Sequence, residues 1–293
     1  MRILLTGGCG YIGSAVYNYL KPKYKIVDTV DLEWFGVYRS EGNIKMNFAD
    51  LDENFLNHYD VIFHTASHSS VPLCKDIYGS FDNNVVKLME FTKKLKRQQK
   101  LIYASSSCVY VESGTVPKVE SEMSPPSDGL TLSKTTLDNV MPLLDVEYYG
   151  LRFGSVNGWA PNMRTDLMIN SMTLSALKNK KVNVFNAHAH RPIVSTHDLC
   201  RAVDAIINSS DKRGVYNVAS FNLNIGEVGK RVADHLNAEL VNKGVSTTYD
   251  FMISSDKFKN TFNFEFESTV ESIVNSITSN PILDTWGRRD AIS

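Results

Sequence analysis

The sequence predicts an α/β fold in which helices cover both faces of a doubly wound parallel sheet, with a small C-terminal lobe. Short apolar runs alternate with amphipathic stretches through the first half of the 293-residue chain. Continuously apolar strands of this kind are typical of parallel sheets that are buried on both faces. Beyond about residue 155 the pattern becomes irregular. This favours a lobe over the sheet edge where such folds bind ligands.

The predicted elements of the first half alternate between strand and helix. The predicted strands are Arg2–Thr6, Lys25–Asp31, Asn43–Phe48, Val61–Thr65, Leu101–Ser105 and Val146–Phe153. The predicted helices are Tyr11–Leu20, Phe81–Leu95 and Thr131–Leu144. Phe81–Leu95 has helical apolar spacing and a basic end, which suits a helix C-terminus. Val116–Asp128 is expected to be a loop because it holds three of the nine prolines.

The second half mixes helices with short strands. The helical stretches are Asp166–Lys178, His197–Asn208, Ile225–Leu236 and Ser268–Ile277, and the short strands are Lys181–Phe185 and Tyr216–Ala219. We expect residues 1–155 to form one domain and residues 156–293 mainly a second lobe. Segments near residues 190–220 are expected to return to the first domain.

Composition excludes several classes of function. With 43% hydrophobic and 22% charged residues, the chain can form a packed core. Lys plus Arg number 31 against 32 Asp plus Glu, so a nucleic-acid partner is not expected. We expect no signal peptide at the N-terminus, and because no apolar run approaches the ~20 residues of a membrane span, no membrane partner is expected. Cys9, Cys74, Cys108 and Cys200 form no CxxC pair, which predicts a reducing, cytoplasmic location.

A glycine motif joins the first strand to the first helix. Gly7, Gly10 and Gly13 give GxxGxxG at that junction. Glycines permit a tight turn and a close approach of backbone to a pyrophosphate, and the helix N-terminus offers N–H groups to phosphates. The motif predicts a Rossmann-type dinucleotide site in which Tyr11 and Ile12 also take part. The alternative is a glycine-rich turn kept only for packing.

Asp31 ends the second predicted strand, 18 positions after Gly13. A carboxylate at this point accepts hydrogen bonds from ribose hydroxyls and repels a 2′-phosphate. It therefore favours NAD over NADP, with Leu32 beside it. Asp31 could instead be an ordinary turn residue, and Glu33 could serve equally well.

Further segments extend this pattern along most of the chain. They are Asp50-Leu51, Asp60–Ala66, Asp82–Val85, Ser105–Tyr110, Leu151–Gly158 and Arg191–Leu199. Together they resemble the extended short-chain dehydrogenase/reductase family, in particular nucleotide-sugar epimerases and dehydratases of the UDP-glucose 4-epimerase type. The resemblance implies NAD as cofactor, a nucleoside-diphosphate sugar as substrate and a homodimer. It also implies further cofactor contacts by Asp50, Leu51, His64, Thr65, Ala66, Asn84, Lys134 and Phe153.

The departure from this family lies at its catalytic YxxxK motif. Ser133-Lys134 matches the second half, but Leu130 stands where the tyrosine belongs. The resemblance implies that Ser106 polarises the sugar oxygen and that Lys134 holds the nicotinamide ribose. Leucine cannot accept the proton that the tyrosinate takes from the sugar. Val111 and Ser155 also replace a usual glycine and asparagine.

No other tyrosine considered has the right offset from Lys134. Tyr17 and Lys21 spell YxxxK, but on the helix after the glycine turn. The others considered are Tyr103, Tyr110, Tyr148 and Tyr149.

The resemblance also implies a set of substrate contacts. Arg191 matches an arginine that pairs with nucleotide phosphates, as a bidentate guanidinium can. The other expected contacts are Ser107, Ser155, Asp166, Leu167 and Phe185. Nearby Arg164 could be a solvated charge, and Phe185 could be core. His188 and His190 could share a strand face, but solvent-facing histidines are favoured and no metal site is expected.

The sequence therefore predicts an NAD-dependent nucleotide-sugar enzyme that acts by transient hydride transfer at the sugar. Ser107-Cys108 stands where dehydratases have an Asp-Glu pair, so epimerisation is favoured over dehydration. The alternative is a catalytically silent protein that binds NAD and a nucleotide sugar.

Overall fold

A computed structural model describes residues 1–110 and 114–281 of the chain. Val111 and the last residues of the predicted lobe, 282–293, lie outside this range. The strands are β1 (Arg2–Thr6), β2 (Ile26–Val30), β3 (Val61–His64), β4 (Lys100–Ser106), β5 (Glu147–Phe153), β6 (Ser155–Asn157), β7 (Lys181–Val184), β8 (His190–Ser195), β9 (Gly214–Val218), β10 (Phe221–Asn224) and β11 (Glu239–Asn242). The α-helices are α1 (Tyr11–Leu20), α2 (Glu53–Leu56), α3 (Ile77–Phe81), α4 (Lys87–Thr92), α5 (Gly129–Val140), α6 (Met168–Asn179), α7 (Thr196–Ile207), α8 (Ile225–Leu236), α9 (Asp256–Phe262) and α10 (Val270–Thr278).

The central sheet is parallel and has the order β2-β1-β3-β4-β5-β9. Its side chains alternate between two apolar cores: Leu5 and Phe63 pack on one face, Leu4 and Ile62 on the other. Both faces of the sheet are therefore buried, as the continuously apolar strands predict. The predicted doubly wound α/β fold is confirmed.

The prediction of a strand at Asn43–Phe48 is wrong. Ile44 makes a single bridge to Val30, and a 3₁₀ turn, Phe48–Asp50, follows. The side chain of Asn47 accepts a hydrogen bond from the Ala49 amide and so stabilises the turn instead of a strand. The sixth strand of the sheet is β9, which pairs with β5 from Tyr149↔Gly214 to Phe153↔Val218.

The predicted helix Phe81–Leu95 begins earlier and is interrupted. It starts with α3, which Asp76 caps by accepting the Gly79 amide, and ends with α4. A π-helical turn, Asp82–Val86, joins the two. Such turns shift side chains relative to an α-helix and are common at functional sites. Here the turn directs Asn84 inwards, where it is fully buried.

Two smaller sheets lie in the second half, with the orders β10-β8-β6 and β11-β7. The strand β8 was not predicted, although it carries Arg191 and lies between β10 and β6. In register, Thr6 lies opposite both Val30 and His64, and Ser106 lies opposite Phe153. The carboxyl ends of the central strands therefore meet at one edge, where ligands bind in open α/β sheets.

Candidate functional site

A cleft of about 750 Å³ opens at this edge and extends between the sheet and the second half of the chain. Most of the predicted site residues line it. They are Gly7, Gly10, Tyr11, Ile12, Gly13, Asp31, Leu32, Thr65, Ala66, Ser106, Ser107, Lys134, Phe153, Ser155, Asp166, Leu167 and Arg191. Residues predicted from separate segments of the sequence thus share one cavity.

The glycine turn is held by close backbone contacts. Gly7 has φ +81°, and a Cβ on Gly13 would lie 2.0 Å from the Gly7 carbonyl oxygen. At Gly10 a Cβ would meet only that same oxygen, at 3.3 Å. No side chain caps the N-terminus of α1, and its first turn has no acidic residue. The turn therefore fits a pyrophosphate, which helix N–H groups and the helix dipole favour.

Asp31 lies beside this turn and is oriented by backbone amides. Its carboxylate accepts hydrogen bonds from the amides of Cys9 (3.0 Å) and Glu33 (2.5 Å). Burial raises the pKa of the Asp31 carboxyl, and these two amides partly offset that effect. The alternative residue, Glu33, pairs instead with Arg39 at 3.1 Å and Lys45 at 3.7 Å. Of the two candidates, Asp31 and Glu33, only Asp31 therefore lines the cleft.

The corner that corresponds to the family's reaction centre holds Ser106, Leu130 and Lys134. The Lys134 amino group donates to the Ala104 carbonyl oxygen (2.7 Å) and to Ser67 Oγ (3.2 Å). Burial lowers the pKa of Lys134. Leu130 is 8% exposed and presents only carbon atoms to the cleft. This corner thus has a hydroxyl and an amine, but no acid–base group at position 130.

A buried polar network lies beneath this corner. Asp138 accepts hydrogen bonds from Tyr103 (2.9 Å), Ser105 (2.9 Å) and Arg152 (2.6 Å). Arg152 also donates to Tyr110, which in turn donates to Asn217 on β9. The network joins β4, α5, β5 and β9 behind Ser106 and Lys134.

The far end of the cleft is basic and aromatic. The Arg191 guanidinium lies 5.7 Å from the ring centre of Tyr249 and 5.8 Å from that of Phe251, and it donates to Thr248. Arg191 Nη1 is buried and makes no hydrogen bond with the protein. Burial lowers the pKa of Arg191. A desolvated guanidinium with an open donor is suited to a phosphate.

Arg164 and Asp166 form an ion pair at the cleft wall. Arg164 Nη2 donates to Asp166 Oδ2 at 2.6 Å. This bond lowers the pKa of the Asp166 carboxyl. Arg164 is therefore not merely a solvated charge. Ser155, also in the cleft wall, accepts a hydrogen bond from Asn157.

Five predicted contacts are not brought to the cleft wall: Asp50, Leu51, His64, Asn84 and Phe185. Asp50 is exposed, Leu51 is in the core, and Asn47 and Phe48 line the cleft in their place. Phe185 is 51% exposed beyond the end of β7.

His64 and Asn84 lie behind the cleft wall and are hydrogen-bonded to residues of neighbouring segments. His64 Nδ1 lies 2.8 Å from Thr6 Oγ1. Burial, aided by the charge of Lys134, lowers the pKa of His64 to about 3. Asn84 accepts from the His68 amide (2.8 Å) and donates to the His68 carbonyl oxygen (3.0 Å). Asn84 therefore positions the segment after β3, whereas His64 joins the end of β3 to the Thr6 side chain at the end of β1.

Several cleft residues were not anticipated from the sequence. They are chiefly Trp34, Phe35, His68, Tyr249 and Phe251. Trp34 and His68 lie in loops, with ring centres 6.1 Å apart. An aromatic residue in a loop has no spacing signal, and none of these residues belongs to a motif segment of the sequence.

Within residues 1–110 and 114–281, no group of three or more His, Cys, Asp or Glu side chains could hold a metal ion. His190 instead pairs with Asp250 at 3.2 Å. In the same ranges, no helix is both long enough and apolar enough to cross a membrane.

The fold and the cleft are typical of nucleotide-binding α/β proteins, which hold a dinucleotide at the first strand–helix turn. Residues 3–219 match the NAD dependent epimerase/dehydratase family. The chain belongs to this family, as the sequence motifs predict, and NAD, the predicted cofactor, is the cofactor of the family.

Curated relatives include several UDP-glucose 4-epimerases. The one from Lacticaseibacillus casei is 30% identical over 165 residues, which cover 52% of this chain and 49% of the relative. The one from Halalkalibacterium halodurans is 26% identical over 178 residues, which cover 56% and 53%. The chain thus spans about half the length of the curated relatives it matches.

Solved structures resemble the whole described fold. UDP-glucuronic acid 4-epimerase from Bacillus cereus, in complex with UDP-glucuronic acid and NAD, has a TM-score of 0.82 at 17% identity, covering 95% of this chain and 98% of that one. TunA, an NAD-dependent NDP-hexosamine 5,6-dehydratase of tunicamycin biosynthesis, has a TM-score of 0.82 at 22% identity, covering 94% and 96%. At this identity the likeness establishes the fold.

Proposed function

We propose that this protein binds NAD and a nucleoside-diphosphate sugar in its cleft and acts on the sugar by transient hydride transfer. One observation carries the proposal: the open N-terminus of α1, Asp31, Lys134 and Arg191 line a single cavity. A dinucleotide needs the first two features, and a nucleoside diphosphate needs the arginine. The packing of the sheet does not require Asp31, Lys134 and Arg191 to lie in the same cavity.

The cofactor is held, in this proposal, by the glycine turn and Asp31. The pyrophosphate lies on the amides at the N-terminus of α1, and Asp31 accepts hydrogen bonds from the adenosine ribose. Lys134 and Phe153 line the nicotinamide end. When bound, NAD supplies a hydride acceptor. The chain itself binds and orients the two ligands.

The sugar nucleotide is held through its phosphates by Arg191. Its buried Nη1 has no protein partner, so a phosphate oxygen would complete its hydrogen bonding. Ser106, Ser107 and Ser155 supply hydroxyls between that end and the nicotinamide end. The base is proposed to be uridine or thymidine, as in the relatives that act on UDP-sugars.

Epimerisation is the proposed outcome, in preference to dehydration. Elimination of water needs an acid and a base at the sugar. The serine turn, a 3₁₀ turn at Ser107–Val109 after β4, has Ser107-Cys108 where the resemblance places two carboxylic acids in dehydratases. Burial raises the pKa of the Cys108 thiol to about 11, so this thiol is a poor base at neutral pH.

A second candidate is a silent binding protein that keeps both ligands without turnover. Leu130 favours it, because a leucine at this position cannot exchange a proton with the sugar. The two candidates share every binding contact and differ only in chemistry.

Binding is tested by thermal shift and calorimetry with NAD, followed by a panel of UDP- and dTDP-sugars on the NAD-loaded protein. We expect Arg191→Ala to abolish stabilisation by the sugar nucleotides and to leave NAD binding intact. Arg97→Ala is the matched control, because Arg97 is 80% exposed and lies outside the cleft. Stabilisation by a sugar nucleotide that survives Arg191→Ala would contradict the phosphate contact.

We further propose that residues 1–155 bind the cofactor and that residues 156–293 form mainly the substrate lobe, with segments near 190–220 returning to the first domain. The pairing of β9 with β5 supports that return.

We also propose a homodimer formed through α3–α4 and α5, and a cytoplasmic location. Exposed apolar side chains near these helices support the dimer: Tyr78 is 91% exposed and Leu143 is 83% exposed. Light scattering on the purified protein tests it, and a monomer at micromolar concentration would contradict it. The four unpaired cysteines support a reducing compartment, which cell fractionation tests.

A further inference from the structure

A tyrosine elsewhere in the cleft wall could supply the acid–base group that position 130 lacks. Within the described residues, the tyrosines of the cleft wall are Tyr11 and Tyr249. The Tyr11 hydroxyl donates to the Gly158 carbonyl oxygen (2.7 Å) and accepts from Asn170 (3.2 Å), and the residue is 5% exposed. The Tyr11 hydroxyl therefore already donates and accepts hydrogen bonds within the protein. Tyr249 is the remaining phenol.

Tyr249 lies at the N-terminus of the helix that carries Leu130. Its hydroxyl donates to Asp128 Oδ2 at 3.3 Å. Asp128 is the N-cap of α5, and Leu130 is the second residue of that helix. The Tyr249 ring packs on the apolar cluster that contains Val109, which follows Cys108 in the serine turn. The Tyr249 ring thus lies beside Arg191, and its hydroxyl lies at the N-terminus of α5, bonded to a residue two positions before Leu130.

The segment that carries Tyr249 is anchored on several sides. The Phe251 amide donates to the His190 carbonyl oxygen (3.3 Å), and the Ile253 amide donates to Asn222 (3.0 Å). The Lys118 amide donates to the Met252 carbonyl oxygen at 2.9 Å. These bonds fix the backbone on the C-terminal side of Tyr249, and Asp128 orients its ring.

We propose that Tyr249, hydrogen-bonded to Asp128, replaces the tyrosine absent from position 130 as the residue that exchanges a proton with the sugar hydroxyl. This inference rests on the proposed function. It assigns to the C-terminal half of the chain a task that the family motif assigns to α5.

The proton and electron balance is as follows. The sugar C–H carbon gives a hydride, with its electron pair, to an oxidised nicotinamide dinucleotide. The sugar O–H proton passes to Tyr249 Oη as the phenol proton passes to Asp128 Oδ2, and a C=O bond forms. The sugar loses two electrons and the dinucleotide gains them; the reverse step restores both.

The two oxygens of Asp128 are suited to this division. Oδ1 accepts the Thr131 amide at 2.8 Å and caps the helix, which leaves Oδ2 for the phenol. Burial, with the nearby Asp128 charge, raises the pKa of Tyr249, so the phenol keeps its proton at rest. A relay through Asp128 removes the need for a free tyrosinate.

The test is Tyr249→Phe, with turnover of the sugar-nucleotide panel followed by NMR and ligand binding followed by calorimetry. We expect kcat to fall by about 10²–10⁴-fold, the usual contribution of a positioned acid–base group. The dissociation constants for NAD and the sugar nucleotide should stay within about twofold, a shift of only ~0.4 kcal/mol. Tyr24→Phe is the matched control, because Tyr24 also donates to an aspartate, Asp204 (2.6 Å), but lies outside the cleft.

Two further variants keep the test decisive. Asp128→Asn retains an equally good N-cap and should lower kcat without unfolding α5, as far-UV circular dichroism would report. Adding Leu130→Tyr to Tyr249→Phe should restore turnover, because position 130 is one helical turn from Lys134.

The outcomes separate this inference from the proposed function. If Tyr249→Phe keeps the natural kcat, the inference is overturned and the proposed function stands. If the natural protein binds both ligands without turnover, the inference is overturned and the silent binder is the correct reading. If neither ligand binds, the proposed function fails as well.

Discussion

Substituting Asp138 by Asn should strongly lower the free energy of unfolding, because Asp138 is the centre of the buried polar network beneath Ser106 and Lys134. The Asp138 side chain is 0% exposed, and that of Arg152, its ion-pair partner at 2.6 Å, is 2% exposed. Asparagine has nearly the same shape, so the substitution removes the charge without leaving a cavity. The Arg152 guanidinium would then remain buried without its counter-charge.

The hydrogen bonds show why the amide cannot compensate. Oδ1 accepts from Tyr103, while Oδ2 accepts from Ser105 and Arg152. Asparagine has one carbonyl oxygen where aspartate has two, so it cannot accept all three of these hydrogen bonds, and it carries no charge to balance Arg152. Removing one partner of a buried ion pair costs about 3–5 kcal/mol. For a domain of this size, that loss corresponds to a fall in Tm of about 6–20 °C.

The assay is urea denaturation of the natural protein and the variant, followed by circular dichroism. Asp145→Asn is the matched control, since Asp145 and its partner Arg97 are 77% and 80% exposed. Exposed pairs contribute little, so the control should unfold at the natural midpoint. A loss below about 1 kcal/mol for Asp138→Asn would refute the reasoning, because surface substitutions alone reach roughly half that value.

Three further changes probe the cofactor side. Gly10→Val should leave the circular dichroism spectrum unchanged, because a Cβ at this position meets only the Gly7 carbonyl oxygen, at 3.3 Å. The variant should nevertheless abolish NAD binding in calorimetry, because the two methyl groups of valine would fill the pyrophosphate position. Unchanged affinity for NAD would contradict this. Asp31→Ala should weaken NAD binding about tenfold or more and spare NADP, and tighter binding of NADP than NAD by the natural chain would show that the ribose contact is misassigned. His64 has its pKa lowered to about 3, so the unfolded chain takes up a proton first as the pH falls. The contribution of neutral His64 to the free energy of unfolding is therefore fully present above the unfolded pKa of ~6.5 and declines as the pH falls towards 3. His64→Asn should flatten this decline in urea titrations at a series of pH values. An equally steep decline in the variant would contradict the assignment.

The sequence predicts well what local pattern determines. The strand β1, the helices α1 and α8 and the glycine turn lie at their predicted positions, since apolar periodicity and glycine spacing are local signals. Asn43–Phe48 misleads because Ile44, Met46 and Phe48 alternate as in a strand. Asn47 instead stabilises a 3₁₀ turn there.

What local pattern cannot predict is pairing over long sequence separations. The strand β9 joins β5 across more than sixty residues, and Tyr249 reaches Asp128 across a separation of 121 residues. No motif surrounds Tyr249, so its role could not be read from spacing. Similarly, His64 and Asn84 match family positions, but only the packing reveals that they lie behind the cleft wall, where His64 bonds to the Thr6 side chain and Asn84 to the His68 backbone.

The central claim is that this cleft oxidises a nucleotide sugar reversibly, and label retention tests it most directly. The NAD-loaded protein is incubated with UDP- and dTDP-hexoses deuterated at the sugar C4, and the products are followed by NMR. The account predicts a C4 epimer that keeps its deuterium, because the hydride removed from the sugar returns to it. Binding of these sugars with no epimer formed from any of them, or an epimer that has exchanged its deuterium with solvent, would contradict it.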